Sequence, residues 1–288
     1  MPELPEVETV AQGLRRALVG RRLAGIELRR ASIFKGDAAR LAELVGAGPS
    51  APAARVPLGS EGATLAGVAR GGKYLVLELV GGRGWQLLFH LGMTGRLVVE
   101  PGGAARQPHT HAVLTWDDGR ELHFRDPRRF GRMALAPAPA SGFAAELGVA
   151  TGAEPLAIGP EEFVALFRGR QAPIKNALLN QKLLRGLGNI YADESLHRAG
   201  LDPRARAVSR PRLLRLRQAM RAVLREAIAA GGSSISDYVG SDGEPGWFHL
   251  RHRVYGRTGE PCPRCRRAIQ RIVLAGRSAH FCPACQKK

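Results

Sequence analysis

A chain of 288 residues is long for one compact core, so two domains with a small appendage are expected. Hydrophobic content of 44% with 24% charged residues excludes a disordered or fibrous protein, and a net charge of +18 favours a polyanionic partner, nucleic acid first, through release of counterions condensed on phosphates. Apolar runs are too short for a membrane span, because Glu78 breaks residues 74–80 while His90 and Gly92 close residues 85–91. The opening MPELPEVETV is acidic, with no basic stretch leading into an apolar one, which predicts no signal peptide and a cytosolic address.

Leu4, Val7, Ala11, Leu14 and Leu18 recur at helical spacing behind Pro2, so residues 4–18 are expected as an amphipathic helix. Residues 29–62 carry little signal beyond a short helix near Asp37 to Val45. From Gly67 onward the pattern changes to strands: Lys73 to Val80, a Gly-Gly-Arg-Gly turn, Trp85 to Leu91, then Arg96 to Glu100, read as a β meander. Residues 111–116 and 120–125 flank Asp117-Asp118-Gly119, a strong hairpin signal. Residues 136–160, rich in Ala, Pro and Gly, suit an interdomain connection.

Beyond it the periodicity is helical, over 160–167, 173–184, 189–198 ended by Gly200, and 209–230 ended by Gly231-Gly232. Arg212, Arg215, Arg221 and Arg225 on the last of these read as a solvated face. Residues 232–246 read as a mobile loop. The four cysteines come last, as Cys262-x2-Cys265 and Cys282-x2-Cys285 with sixteen residues between the pairs. In a reducing compartment that spacing predicts one tetrahedral Zn²⁺ site, structural because four protein ligands leave no open position.

Pro2-Glu3 has two readings. Proline fits a first helical turn, and acids there complement the helix dipole. Alternatively, initiator Met is removed before a small residue such as proline, leaving Pro2 a free secondary amine. An α-amino group has a pKa of about 7.7–8.0 against about 10.4 for lysine, so a substantial minority is neutral and nucleophilic at physiological pH. Such an amine can attack a sugar C1′, and Glu3 beside it could move protons.

The runs PELPEVETV, GKYLVLEL at 72–79, HLGMTG at 90–95, DPRRFGR at 126–132, GLGNIYADESL at 186–196, SDGEPG at 241–246 and VYGRTGEPC at 254–262, with the cysteine module, together resemble the formamidopyrimidine-DNA glycosylase family over almost the whole chain. The resemblance implies an α+β multidomain fold: a catalytic domain at 1–140 made of an N-terminal helix plus a β-sandwich, a helical helix-two-turn-helix domain at 141–240, and a zinc-finger β-hairpin at 241–288. It implies a monomer of the bacterial cytoplasm, associated with the nucleoid, that acts on double-stranded DNA containing oxidised bases.

The same resemblance gives Pro2 as nucleophile, Glu3 as acid/base group, Lys73 as a catalytic lysine beside a phosphate, and Glu6 as a further active-site match. Extruding a base leaves a gap, which Met93, Arg128 and Phe130 would fill. His109, Lys175, Asn189 and Arg277 would contact DNA, the last from the tip of the zinc-pinned hairpin, and residues 232–246 would cover the lesion. Oxidised purines are the expected substrates. A sister branch resembling endonuclease VIII takes oxidised pyrimidines and usually begins Pro-Glu-Gly-Pro; Leu4 with Met93, Arg128 and Phe130 favours the purine branch. A non-catalytic, zinc-containing DNA damage-binding protein is the alternative from another class.

Overall fold

The computed structural model describes residues 1–36, 41, 62–81, 84–138, 152–233, 240–241, 244 and 246–288. The helix expected near Asp37 to Val45, most of the 136–160 connection and most of the 232–246 loop lie outside the described residues. The chain divides into two compact units, one of Met1–Pro2, Glu6–Val149 and Ser233–Gly246, the other of Glu3–Pro5, Ala150–Gly232 and Trp247–Lys288. Among the described residues, no helix is long and apolar enough to cross a membrane.

In the first unit, α1 (Leu4–Leu18) turns Val7, Val10, Ala11, Leu14 and Leu18 inward, as its spacing requires. Among the described residues nine strands follow: β1 (Leu23–Leu28), β2 (Phe34–Lys35), β3 (Thr64–Gly71), β4 (Tyr74–Val80), β5 (Trp85–His90), β6 (Arg96–Glu100), β7 (Thr110–Trp116), β8 (Glu121–Arg125) and β9 (Arg132–Pro137). They form a five-stranded sheet, β2-β9-β5-β4-β3, and a four-stranded sheet, β1-β7-β8-β6. Leu75, Leu77, Leu87 and Phe89 of one sheet share a core with Ile26, Leu114, Leu122 and Phe124 of the other, which makes the pair a β-sandwich. Phe89 and Phe124 meet edge to face, their centroids 5.5 Å apart and the rings 78° from parallel.

The expected hairpin forms, β7 against β8. The meander is only partly right. Strands β3, β4 and β5 are consecutive antiparallel neighbours, but β6 crosses to the other sheet and pairs with β8, from Arg96↔Arg125 to Glu100↔Glu121. A turn closed by the Gly95 amide on the Leu91 carbonyl, at 2.8 Å, redirects the chain between β5 and β6. Alternation along each strand is the same in either pairing, so periodicity does not distinguish them.

The second unit holds α2 (Pro160–Phe167), α3 (Ile174–Leu179), α4 (Asn189–Ala199), α5 (Arg210–Ala229) and a hairpin of β10 (Gln270–Leu274) and β11 (Arg277–Phe281). Its core gathers Leu4, Phe163, Phe167, Leu178, Tyr191, Leu196, Leu216, Met220 and Leu224. The helix expected over 173–184 stops at Leu179. Gln181 explains the stop: its side-chain amide donates to the carbonyls of Leu179 and Leu187, at 3.0 and 2.7 Å, and its Oε1 accepts the Gly186 amide at 2.8 Å, building a turn instead. Nor is Arg212 simply solvated, since its guanidinium donates to the carbonyls of Lys287 and Lys288 at 2.6 and 2.7 Å.

Phe124→Ala should destabilise the sandwich by about 3–5 kcal/mol, because the transfer loss and the cavity between the sheets add. A urea melt followed by tryptophan fluorescence reads this directly, and a loss below about 1 kcal/mol would mean the sheets do not pack through this ring.

Candidate active site and nucleic-acid interface

In the first unit, Pro2 is buried and Met1 is 51% exposed. With Met1 attached the proline nitrogen is an amide without a nucleophilic lone pair, and the residue that blocks it is accessible. Glu6, also buried, accepts the Ser233 amide at 2.8 Å, where the 232–246 segment begins. Lys73 sits on the two-residue turn between β3 and β4. Arg70 supports that turn, donating to the Gly72 carbonyl at 3.1 Å while its Nε is paired with Glu8 at 2.9 Å.

Met93 lies on the turn after β5 and is 41% exposed; Phe130 lies on the loop after β8 and is 49% exposed. Arg128 places its guanidinium carbon 4.9 Å from the centre of the Phe130 ring. Buried Asp126 ties the two segments together. One of its oxygens accepts the Thr94 hydroxyl, the other accepts the Gly131 amide at 2.6 Å, and Thr94 in turn accepts the Arg128 amide at 3.2 Å. At Gly92, where φ is +62°, an added Cβ would stand 2.6 Å from the Gly131 nitrogen, so the close approach of the two segments requires glycine.

His90 holds the Met93 turn from the other side, its Nδ1 accepting the Gly92 amide at 3.2 Å. Burial, with Lys73 and Arg132 nearby, pulls the His90 pKa down to about 4, which keeps the ring neutral and able to accept. His109 is exposed in the left-handed region, φ 65°, and its carbonyl accepts the Asp126 amide at 3.0 Å. Met93, His109, Arg128 and Phe130 are therefore brought together around one buried aspartate.

In the second unit, Glu3 is buried and meets the N-terminus of α4. Its carboxylate accepts the amides of Gly188, Ile190 and Tyr191 at 2.8, 3.0 and 3.4 Å. These are amides that a helix start leaves unpaired, and a negative charge there also complements the dipole. A Cβ on Gly188 would fall 2.3 Å from the Glu3 carboxyl carbon, so the glycine is what admits the carboxylate.

Asn189, Lys175 and Arg277 converge on one residue, Ser278. Asn189 donates to the Ser278 hydroxyl at 3.1 Å and Lys175 to its carbonyl, while Arg277 precedes it, exposed, directly after the Ala275-Gly276 turn. Lys175, expected to contact DNA, is 0% exposed in this structure, and its ammonium pairs with Asp193 at 2.6 Å. Burial pulls that ammonium below the usual lysine range, and the Asp193 carboxylate opposes the shift. Its donors hold the strand that carries Arg277.

Asp193 also accepts the amide and the ring Nδ1–H of His280, at 2.9 and 3.1 Å. One residue on, Glu194 accepts the consecutive amides of Arg253, Val254 and Tyr255 at 2.9–3.0 Å. Burial pushes the Glu194 carboxyl up, against three amides that favour its charge. The four cysteine sulfurs all lie within 4.8 Å of one another. A tetrahedral site with Zn–S bonds of about 2.3 Å has S···S edges of about 3.8 Å, so the cluster fits one structural zinc ion.

Three family models match in order: the formamidopyrimidine-DNA glycosylase N-terminal domain over residues 1–133, the H2TH domain of the same enzymes over 151–239, and a zinc finger found in FPG and IleRS over 259–288. The chain belongs to the formamidopyrimidine-DNA glycosylase family. A formamidopyrimidine-DNA glycosylase of Solibacter usitatus is 45% identical, with all of both chains covered. Among solved structures of the family, MutM in complex with DNA containing carbocyclic 8-oxo-G is 33% identical with a TM-score of 0.84, all of both chains covered. A Lactococcus lactis FPG mutant in complex with Fapy-dG-containing DNA gives the same identity, TM-score and coverage.

Sequence reasoning missed the supports of this family site, namely Arg70, Thr94, Asp126, Asp193 and Glu194. Only Asp126, in an Asp-Pro turn, carries a local signal; the others are ordinary polar residues until their long-range partners are known.

Gly188→Ala should cost about 1–3 kcal/mol through the clash with Glu3, and the double variant with Glu3→Ala should be less destabilised than the sum of the two single variants. A urea-melt double-mutant cycle tests the contact, and strict additivity would refute it. Chelating zinc should release amide protection in residues 270–286 within the hydrogen-exchange dead time while β4 and β5 stay protected; unchanged protection of β10 and β11 would show that metal does not hold the hairpin.

Proposed function

We propose that the protein is a base-excision repair enzyme that removes oxidised purines, 8-oxoguanine and formamidopyrimidines, from duplex DNA and then cleaves the abasic strand by β,δ-elimination. The observation that carries the reading is Glu3: the residue next to the prospective terminal amine is a buried carboxylate fixed by three backbone amides. A proton-transfer group needs that restraint to act on a departing base. Solved relatives carrying 8-oxo-G and Fapy-dG DNA support the substrate class.

In this mechanism Met1 is removed and the Pro2 nitrogen attacks C1′ of the damaged nucleotide. The C1′–N bond to the base breaks, the base takes the electron pair and a proton, and opening of the C1′–O4′ bond gives an iminium with O4′ protonated through Glu3. Loss of a C2′ proton expels the 3′ phosphate, a second elimination expels the 5′ phosphate, and hydrolysis of the iminium restores Pro2. Lys73 would lie against a phosphate near the lesion.

Met93, Arg128 and Phe130 would occupy the space of the flipped nucleotide, with Arg128 donating to the orphaned cytosine. Their joint exposure on one braced pair of loops supports this, since apolar side chains at 41% and 49% exposure have no core role. His109, Asn189 and Arg277 would hold phosphates, Lys175 acting through the Arg277 strand. Residues 1–140 would supply catalysis, 141–240 the helix-two-turn-helix grip and 241–288 the zinc finger, in a monomer acting at the bacterial nucleoid in the cytoplasm.

Borohydride reduction during reaction with an 8-oxoguanine:cytosine duplex should give a covalent adduct on Pro2, identified by mass spectrometry. Glu3→Gln should bind the same duplex but release base at least about 100-fold more slowly. An adduct on Lys73 would overturn the nucleophile, normal turnover by Glu3→Gln would overturn the proton-transfer role, and faster cleavage of a thymine glycol duplex would overturn the purine assignment.

A further inference from the structure

His197 lies on the last turn of α4, is 0% exposed, and has no part in the chemistry above. Its Nε2 stands 3.5 Å from the Sγ of Cys262, which is also 0% exposed. Its other ring nitrogen, Nδ1, is buried and has no hydrogen-bond partner among the described residues. The contact is fixed from both sides. The Arg264 guanidinium donates to the carbonyls of His197 and Arg198 at 3.2 and 3.1 Å, and the Arg264 amide donates to the same Cys262 sulfur at 3.4 Å.

A cysteine that binds zinc does so as thiolate and has no proton to give, so a hydrogen bond between these two atoms can run in one direction only, from Nε2–H to sulfur. That assigns the ring tautomer: Nε2 carries the proton and Nδ1 is the bare nitrogen left without a partner. Four thiolates around one Zn²⁺ leave a net negative centre, and N–H donors to sulfur offset charge that is otherwise held in a poorly solvated place.

We propose that His197 is a positioning residue of the zinc centre, donating Nε2–H to the Cys262 thiolate and thereby fastening the C-terminal turn of α4 to the metal. The consequence reaches along the helix. Residues 190 and 191 hold Glu3, Asp193 and Glu194 hold the segments at 280 and 253–255, and His197 holds the metal ligand, so one helix links the proton-transfer carboxylate to the zinc module. The inference concerns the metal site alone and stands whether or not the substrate is an oxidised purine.

The first test uses the unaltered protein, labelled with ¹⁵N-histidine and reconstituted with ¹¹³Cd²⁺ in place of zinc. The long-range ¹H–¹⁵N spectrum, with His197 assigned by comparison with His197→Gln, should show the proton on Nε2 and a scalar coupling from cadmium to it through the hydrogen bond. A ring protonated on Nδ1 alone overturns the proposal. Second, zinc transfer to a chromophoric chelator should be about tenfold faster from His197→Phe, which has no donor. His197→Gln, whose side-chain amide extends about as far, should release zinc at close to the wild-type rate. Equal rates for wild type and His197→Phe, or equal acceleration by both variants, would leave only a packing role and refute the hydrogen bond.

Discussion

Much of the second unit turns on a helix start that is buried rather than solvated. The amides of the first turn of α4 need an acceptor, and a buried amide left unpaired costs about 1–3 kcal/mol. Glu3 supplies that acceptor, taking three of the amides at once. The arrangement works in both directions: the carboxylate completes the helix, and the helix denies the carboxylate alternative rotamers. The carboxylate is thereby held by the backbone, which a side-chain substitution elsewhere moves less easily than it would move another side chain.

From that start α4 presents buried polar side chains along one face, at 193, 194 and 197. Each meets a segment far away in sequence: the β11 strand, the 253–255 amides and the Cys262 sulfur, the last leaving His197 Nδ1 without a partner among the described residues. Buried carboxylates are costly unless fully hydrogen-bonded, so these residues specify which segments pack against α4 more sharply than apolar contacts would. The Lys175–Asp193 pair belongs to this pattern, with the lysine enclosed behind the Ser278 carbonyl.

The first unit solves a comparable problem with Asp126. Met93, Arg128 and Phe130 project outward at the cost of exposed apolar surface, and they keep a defined geometry because the segments beneath them share a buried aspartate, the Thr94 hydroxyl and a glycine contact. Rigid support of this kind spares exposed side chains the ordering entropy that flexible ones would lose on contact with a partner. The Arg70 link from Glu8 to the Gly72 carbonyl does the same for the turn that carries Lys73.

Local pattern alone determined α1, whose apolar residues at helical spacing give Leu4–Leu18, the hairpin at Asp117-Asp118-Gly119, α2, the ends of α4 at Gly188 and Gly200, and the four-cysteine zinc site. These depend on interactions within a few residues or on fixed ligand spacing, which sequence displays directly. Motif order along the chain likewise marked the family. Only tertiary structure decided that β6 crosses to the second sheet, that β1 and β9 complete the sandwich, that Gln181 ends α3 early, and that Lys175 and His197 are enclosed. Each of those depends on a partner distant in sequence, and a strand's alternation or a histidine's identity is the same whichever partner it finds.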